Sequence, residues 1–277
     1  MTVAVLCDMT RCIGCRGCQV ACKQWNENDE FIPTEPNGVK VKSVNWGSYE
    51  NPPHLSAHTW TKIRFTELEY DSKFHWVFTK LQCMHCEHPA CAAACPVGAL
   101  QKTAEGPVVY DDTKCFGCRY CMVACPFGIP TFEWDKPIPW IRKCNFCADR
   151  LAQGWEPACV KTCPTDALKL GEREELILEA RERIAASPDK YVNHIYGEKE
   201  VGGTSWLYLS PVPFEKVGFP TLDAEPVTVD VERAMGAVPP VLAGVAAAMA
   251  GIYWLVKRRD KVSQERTGGK EKEEVTK

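Results

Sequence analysis

Hydrophobic and polar positions divide this chain into three kinds of stretch. The first is short and alternating. Val3 to Leu6 read as a strand, and Lys62-Ile63-Arg64-Phe65-Thr66 alternates polar with apolar, as does part of His75-Trp76-Val77-Phe78. Asp71-Ser72 can turn between the last two, which predicts a hairpin. Val108-Val109-Tyr110 reads as another strand. The second kind has helical period. Leu176, Ile177, Ala180 and Ile184 recur on one face of a helix predicted over Glu172 to Ala186, and Ser187-Pro188 ends it. Residues 187–235 carry many Pro and Gly and few helical signals, so they read as an extended arm.

The third kind is an uninterrupted apolar run. Gly236 to Val256 carries no charge, and its 21 residues would span about 30 Å as a helix, the thickness of a bilayer core. A buried helix of a soluble core would carry charge on one face, and this one has none. Tyr253 and Trp254 stand near one end as interfacial aromatics do, and Gly244 and Gly251 allow close helix approach. Pro239-Pro240 are expected to kink or delay its start. Lys257-Arg258-Arg259 and Lys261 follow the run, whereas Asp223, Glu225, Asp230 and Glu232 precede it. The positive-inside rule then predicts a cytoplasmic C-terminus and an extracytoplasmic N-terminal part. Ser263 to Lys277 are charged and expected to be disordered. The opening residues Met1 to Leu6 lead straight into the first cysteine motif, and read as a strand, not as a secretory signal.

Composition changes the picture in two ways. A formal net charge of -3 gives no footprint for nucleic acid. Seventeen cysteines in 277 residues demand an explanation from their spacing. Four motifs hold all but Cys7. The first is Cys12-x-x-Cys15-x-x-Cys18-x-x-x-Cys22, followed by Lys23 where proline is usual. The second is Cys83-x-x-Cys86, then Cys91-x-x-x-Cys95-Pro96. The third is Cys115-x-x-Cys118-x-x-Cys121-x-x-x-Cys125-Pro126. The fourth is Cys144-x-x-Cys147, a long gap, then Cys159-x-x-x-Cys163-Pro164. Disulfide geometry is poorly served by such tight triplets. Zinc usually takes two separate Cys-x-x-Cys knuckles. A cubane [4Fe–4S] cluster takes three thiolates from a tight loop and one from a distance, which is the pattern written here. Gly14, Gly17 and Gly117 lie between ligands, where the loop must bend and bring amides near sulfur. Cys7 reads as a small buried hydrophobe, and His85 and His88, inside a motif already complete in cysteine, as supporting or surface residues. Trp25, Trp46, Trp60 and Trp76 are expected to shield clusters or pack in the core.

In two-cluster ferredoxins the fourth cysteine of each run ligates the other cluster, so the motifs work in pairs. Motifs two and three are joined by a short link, leaving motifs one and four to pair around them. Four ligand sets follow: Cys12, Cys15, Cys18 and Cys163 for cluster a; Cys22, Cys144, Cys147 and Cys159 for cluster b; Cys83, Cys86, Cys91 and Cys125 for cluster c; Cys95, Cys115, Cys118 and Cys121 for cluster d. The expected fold is α+β: two nested ferredoxin-like two-cluster modules with a C-terminal single transmembrane helix. Residues 1–82 and 126–186 form the outer module with its inserted hairpin, 83–125 the inner module, 187–235 the arm, 236–256 the span and 257–277 a charged cytoplasmic tail.

The motif order and the terminal span resemble the iron–sulfur (β) subunit of membrane-bound respiratory formate dehydrogenases, from about Thr2 to Lys257. The stretches that carry the resemblance are Cys12 to Cys22, Cys83-Met84-His85-Cys86-Glu87-His88-Pro89-Ala90-Cys91, Glu156-Pro157-Ala158-Cys159-Val160-Lys161-Thr162-Cys163-Pro164 and Val201-Gly202-Gly203-Thr204. Cys115 to Cys125 and Tyr196-Gly197-Glu198-Lys199 also suit the electron-transfer subunit of a membrane-bound hydrogenase, or of another molybdopterin oxidoreductase. The resemblance implies four [4Fe–4S] clusters, no catalytic site in this chain, a large molybdopterin-type catalytic subunit holding molybdenum or tungsten, and a membrane cytochrome b that reduces quinone. It also implies export of the folded complex on the partner's twin-arginine signal, and hence the cytoplasmic (inner) membrane with the clusters on the periplasmic side. A catalytic enzyme is the competing class. The chain shows no nucleotide-binding glycine fingerprint and no nucleophile–histidine constellation outside the cysteine motifs.

Overall fold

The computed structural model describes residues 2–28, 50–134 and 136–274. Trp46 lies outside them. Contacts divide the chain into two units, Met1–Thr228 and Val229–Lys277.

The first unit is organised around a three-stranded sheet. The strands β1 (Val3–Asp8), then a helix α1 (Gly17–Trp25), β2 (Lys62–Tyr70), β3 (Lys73–Leu81), α2 (Ala90–Ala93), β4 (Leu100–Lys102), β5 (Val108–Tyr110), α3 (Tyr120–Ala124), β6 (Thr131–Phe132), β7 (Ile141–Arg142), α4 (Ala148–Leu151), α5 (Ala158–Lys161), β8 (Leu168–Glu172), α6 (Arg173–Ala186) and β9 (Trp206–Leu209) follow in order. The sheet order is β8-β1-β9. β1 pairs antiparallel with β8, Val3 opposite Glu172 and Cys7 opposite Leu168, and parallel with β9, Val5 opposite Trp206 and Cys7 opposite Tyr208.

The period of two sorts this sheet into two faces. Ala4, Leu6, Leu207 and Leu209 pack against Leu176, Ile177, Ala180 and Ile184 of α6. Val5, Cys7, Trp206 and Tyr208 turn the other way, into a core shared with Cys18, Phe146 and Cys159. One face therefore anchors the sheet and the other backs the cysteine motifs. β1 also carries a buried carboxylate, Asp8, which accepts hydrogen bonds from Tyr191 Oη at 2.9 Å and Arg183 Nη1 at 3.0 Å. These bonds tie α6 and the chain beyond it to β1.

The segment read as an extended arm folds otherwise. Trp206, Leu207, Tyr208 and Leu209 are all at or below 1% exposed and form the parallel edge of the sheet. A strand buried on both faces is apolar at every position, so it gives no alternation to read. Gly197 is part of the same closure. Its φ is +95°, and an added β-carbon would collide with the Trp206 carbonyl oxygen and Thr204 Oγ1.

β2 and β3 pair along their whole length, Lys62 opposite Leu81 and Tyr70 opposite Lys73, with Asp71 and Ser72 at positive φ in the turn. Phe65 and Phe78 sit opposite each other with ring centroids 5.0 Å apart. A β-carbon on Gly14 would come within 3.0 Å of Phe78, so the hairpin lies directly on the first cysteine loop. The tryptophans divide differently from expectation. Trp76 is 52% exposed and packs on Phe78, Trp25 stands at the surface edge-on to Trp155, and Trp60 is half-buried. Among the described residues, the tryptophan that is fully buried behind the motifs is Trp206.

The second unit is helical. α7 spans Thr228–Glu274 and passes through Pro239 and Pro240. Within it Gly236–Val262 is long and apolar enough to cross a membrane, with mean hydropathy 1.6. Val241, Leu242, Met249 and Ile252 are exposed. Lys257 and Arg258 fold back over the rings of Tyr253 and Trp254, 5.4 and 5.3 Å from the centroids. The helix begins before Gly236 and continues past Ser263 to Glu274, where disorder was expected. Glu, Lys, Gln and Arg make up most of that tail and are good helix formers, so a helix already nucleated upstream propagates through it despite Gly268 and Gly269.

Replacing Gly197 by Ala is expected to destabilise the first unit by about 1–3 kcal/mol. The check is the thermal midpoint of the cluster-loaded protein, which should fall. An unchanged midpoint would contradict the close packing of β9.

Candidate metal centre

Each cysteine loop is shaped by residues in the left-handed region. Gly14 and Gly117 occupy equivalent places in motifs one and three with φ of +67° and +78°. Arg16 and Arg119, two residues on, precede α1 and α3 with φ of 60° and 64°. The first and third motifs thus fold alike: a tight loop, a left-handed residue, then a short helix. In the other two motifs His85 (φ 49°), Phe146 (φ 61°) and Cys147 (φ 50°) take the left-handed role without glycine. Such strain in several non-glycine residues marks loops held in place by what they surround.

The loops bring cysteines from distant motifs together. One cavity is lined by Cys12, Cys15, Cys18 and Cys163, with Cys7, Ile13, Ile63, Leu168 and Lys80 among its walls. A second is lined by Cys22, Cys144, Cys147 and Cys159, with Phe146, Trp206 and again Lys80. Helix α1 packs against α5, which joins motif one to motif four, and α2 packs against α3, which joins motif two to motif three. Burial pushes the Cys86 thiol well up, and the charges of Cys83, Cys125 and Cys91 add to it. Burial likewise raises Cys121 to about 11, with Cys118, Cys115 and Cys95 as its charged neighbours. Each of the two cavities thus gathers three thiols of one motif and one of its partner, and the thiols around Cys86 and Cys121 divide in the same way.

Some of the same thiols also link one group to the next. Cys18 and Cys22 both feel Cys159, linking the two cavities. Cys144 is raised by burial and by charges that include Cys83, reaching from the second cavity to motif two. Cys91 has Cys121 among its charged neighbours, reaching on to motif three.

The donor sets suit a thiolate-held cluster. The first cavity offers five cysteines, Cys7 among them, and the second four, with no carboxylate in either, a soft set that selects iron–sulfur clusters or zinc. Backbone amides point at sulfur: Ala99 N to Cys95 Sγ at 3.2 Å, Gly117 N to Cys115 Sγ at 3.4 Å and Phe146 N to Cys144 Sγ at 3.4 Å. Around Cys95 burial raises the thiol, but the amides of Leu100, Val97, Ala99 and Gly98 together outweigh it and hold it below its usual value. Asn26 adds a side-chain donor to Cys22 Sγ at 3.6 Å.

Two histidines of motif two part company. His88 is exposed. His85 is fully buried, accepts from the Val108 amide through Nδ1 at 2.9 Å, and packs edge-on to Phe146 at 4.9 Å, tying motif two to motif four. Cys7 is 2% exposed on the cluster-facing side of β1, beside a complete set of four. Lys80, three residues before Cys83, escaped the sequence reading altogether. It is 2% exposed yet lines both cavities. Burial alone would pull its ammonium toward neutrality, but the charges of Cys159, Cys18, Cys144 and Cys22 outweigh that and raise it. The available signal was a lysine at the inner end of a hairpin strand running directly into a cysteine motif.

Comparison with known proteins agrees with this chemistry. 4Fe-4S dicluster domain families match residues 11–99 and 74–173. The nitrate-inducible formate dehydrogenase iron-sulfur subunit of Escherichia coli K12 is 39% identical over 257 residues, covering 91% of this chain and 83% of that protein. This chain belongs to the family of formate dehydrogenase iron–sulfur subunits. A protein of Nitratidesulfovibrio vulgaris Hildenborough is 42% identical over 264 residues, 94% of this chain and 68% of the other. The hydrogenase-2 operon protein HybA of Escherichia coli O157:H7 is 34% identical over 292 residues, 94% and 85% respectively. As a member of this family the chain carries four [4Fe–4S] clusters and is a non-catalytic electron-transfer subunit. Each cluster, when bound, takes up and releases single electrons. The protein's own part is to supply thiolates, amide dipoles and a dry surround that set how readily each does so.

Anaerobically purified protein is expected to hold about sixteen iron and sixteen acid-labile sulfide per chain, counting four cubanes. Metal and sulfide analysis checks this. Stoichiometric zinc with little iron would contradict it.

Proposed function

We propose that this chain conducts electrons from a molybdenum- or tungsten-pterin formate dehydrogenase subunit to a membrane cytochrome b that reduces quinone. The observation that carries the reading is the gathering of cysteines from different motifs, with thiols of one group neighbouring those of the next. We assign them as cluster a on Cys12, Cys15, Cys18 and Cys163, cluster b on Cys22, Cys144, Cys147 and Cys159, cluster c on Cys83, Cys86, Cys91 and Cys125, and cluster d on Cys95, Cys115, Cys118 and Cys121. The shared cavity walls and the α1–α5 and α2–α3 packing support the assignment. In this reading residues 83–125 form an inner two-cluster module nested within an outer one. Electrons pass along a, b, c and d in one direction or the other, with no branch.

Formate as the ultimate donor is supported by the formate dehydrogenase subunits among the relatives. The hydrogenase-2 operon relative favours a second reading, in which hydrogen is the donor and the wire is the same. Both place a large catalytic subunit at one end of the row.

α7 is read as a single-pass anchor in the cytoplasmic membrane. Its apolar window, the rings of Tyr253 and Trp254, and the Lys257-Arg258-Arg259 cluster that caps them support this. Carrying those three charges across a bilayer is costly, so the C-terminus stays in the cytoplasm and the clusters face outward.

Two outcomes follow. A tagged chain captured from detergent-solubilised membranes should bring down a large pterin-containing subunit, and formate should bleach its cluster absorbance. Bleaching by hydrogen but not by formate would transfer the chain to the hydrogenase reading. A reporter fused after Lys277 should be active only as a type that works in the cytoplasm; activity of a periplasm-only reporter there would invert the orientation.

A further inference from the structure

Four lysines of the first unit are buried or nearly so, and they differ in what neutralises them. Lys62 pairs with Glu50 at 2.6 Å and Lys102 with Glu87 at 3.0 Å. Lys143 bonds to two backbone carbonyls, those of Val108 and Cys144. Lys80, like Lys143, is held by neutral groups only. Its Nζ donates to Thr61 Oγ1 at 2.8 Å and to Gln82 Oε1 at 2.9 Å, and it lies 4.3 Å from the centroid of the Trp206 ring. Among the described residues no carboxylate pairs with it.

The groups around Lys80 are themselves oriented. Thr61 Oγ1 donates its hydrogen to the Leu81 carbonyl at 3.1 Å, which leaves its lone pairs for the ammonium. The Gln82 amide nitrogen donates to Tyr208 Oη, so its oxygen faces Lys80. Tyr208 Oη in turn donates to the Lys80 carbonyl at 3.0 Å. Trp206 turns the negative face of its ring to the cation. Every neighbour presents an acceptor, and none brings a full negative charge. A buried cation in such a place is costly unless something else nearby is anionic.

What is nearby is cysteine on two sides. Lys80 is in the wall of the cavity of Cys12, Cys15, Cys18 and Cys163, and in the wall of the cavity of Cys22, Cys144, Cys147 and Cys159. A cubane on four thiolates is an anion in both redox states and one charge more negative when reduced. A fixed positive charge therefore favours the reduced state, and does so strongly in a dry interior. We propose that Lys80, caged between the two cavities, is the shared counter-charge of clusters a and b and raises the reduction potential of both. This rests on the ligand sets assigned above. It gives the hairpin a purpose beyond shielding: β3 delivers one cation to the junction of two redox centres.

The test is EPR-monitored redox titration of the anaerobically purified full chain, with Lys80→Met and Lys80→Arg beside the wild type. The wild type is first counted for iron and sulfide. A count short of four cubanes overturns the ligand sets, and this proposal with them. With a full count, K80M should lower two of the four midpoint potentials, each by about 59 mV or more, which is a tenfold fall in the reduced-to-oxidised ratio for a one-electron couple. K80R should stay near the wild type. Unshifted potentials in fully loaded K80M overturn the proposal and leave the ligand sets standing. If K80M fails to load, Lys80→Gln is titrated in its place and judged by the same two outcomes.

Discussion

A thiolate is a poor guest in an apolar interior, and this fold buries thiols in groups. Burial raises Cys18 and Cys22 to about 12, and neighbouring thiols push in the same direction. Left to themselves such groups stay protonated. They become ligands only when a cation-rich cluster sits among them and hydrogen bonds meet the remaining charge. Most features of the first unit serve that constraint. The left-handed residues turn each loop so that amides face sulfur. The short helices α1, α2, α3 and α5 begin at or beside the cysteines and bring a distant thiol to each group. Sheet β8-β1-β9 supplies a rigid, apolar back wall, and the β2–β3 hairpin closes the front over Gly14.

The same constraint explains why polar groups behind the clusters are so fully employed. Thr61, Gln82 and Tyr208 are tied to each other or to the backbone with their donors directed elsewhere. Tyr208 is fully buried and its hydroxyl is held well above its ordinary pKa by burial, with nearby Cys7 charge adding to it. It therefore stays neutral and serves as a hydrogen-bonding brace between β9 and β3. The network joins the ends of the β2–β3 hairpin to β9.

How much of this was legible in the sequence follows from how each part is encoded. Cysteine spacing is a direct image of a ligand loop, so the four motifs could be read from residue numbers, and two cavities gather cysteines of motifs one and four. Residues 172–186 showed their buried face because a helix packed on one side leaves a period. β9 left none, because both faces of Trp206 to Leu209 are covered, and the prolines and glycines around it looked like an arm. The helical tail after Val262 was masked by its charge, which reads as disorder when the preceding helix is ignored. Lys80 was invisible for a deeper reason. A lysine in a strand is ordinarily a solvated one, and only the packing of two cysteine cavities against the same hairpin face reveals that it is buried.

The central claim is that cysteines from motifs far apart in sequence share clusters, one and four together and two and three together, in an unbranched row. Anomalous diffraction at the iron edge from crystals of the anaerobically prepared holoprotein tests it most directly. The account predicts four separate four-iron centres in line, with Cys163 Sγ bonded to the same centre as Cys12, Cys15 and Cys18, and Cys125 Sγ to that of Cys83, Cys86 and Cys91. Iron centres each ligated within a single motif, or Cys163 bonded to the centre of Cys144 and Cys147, would contradict it.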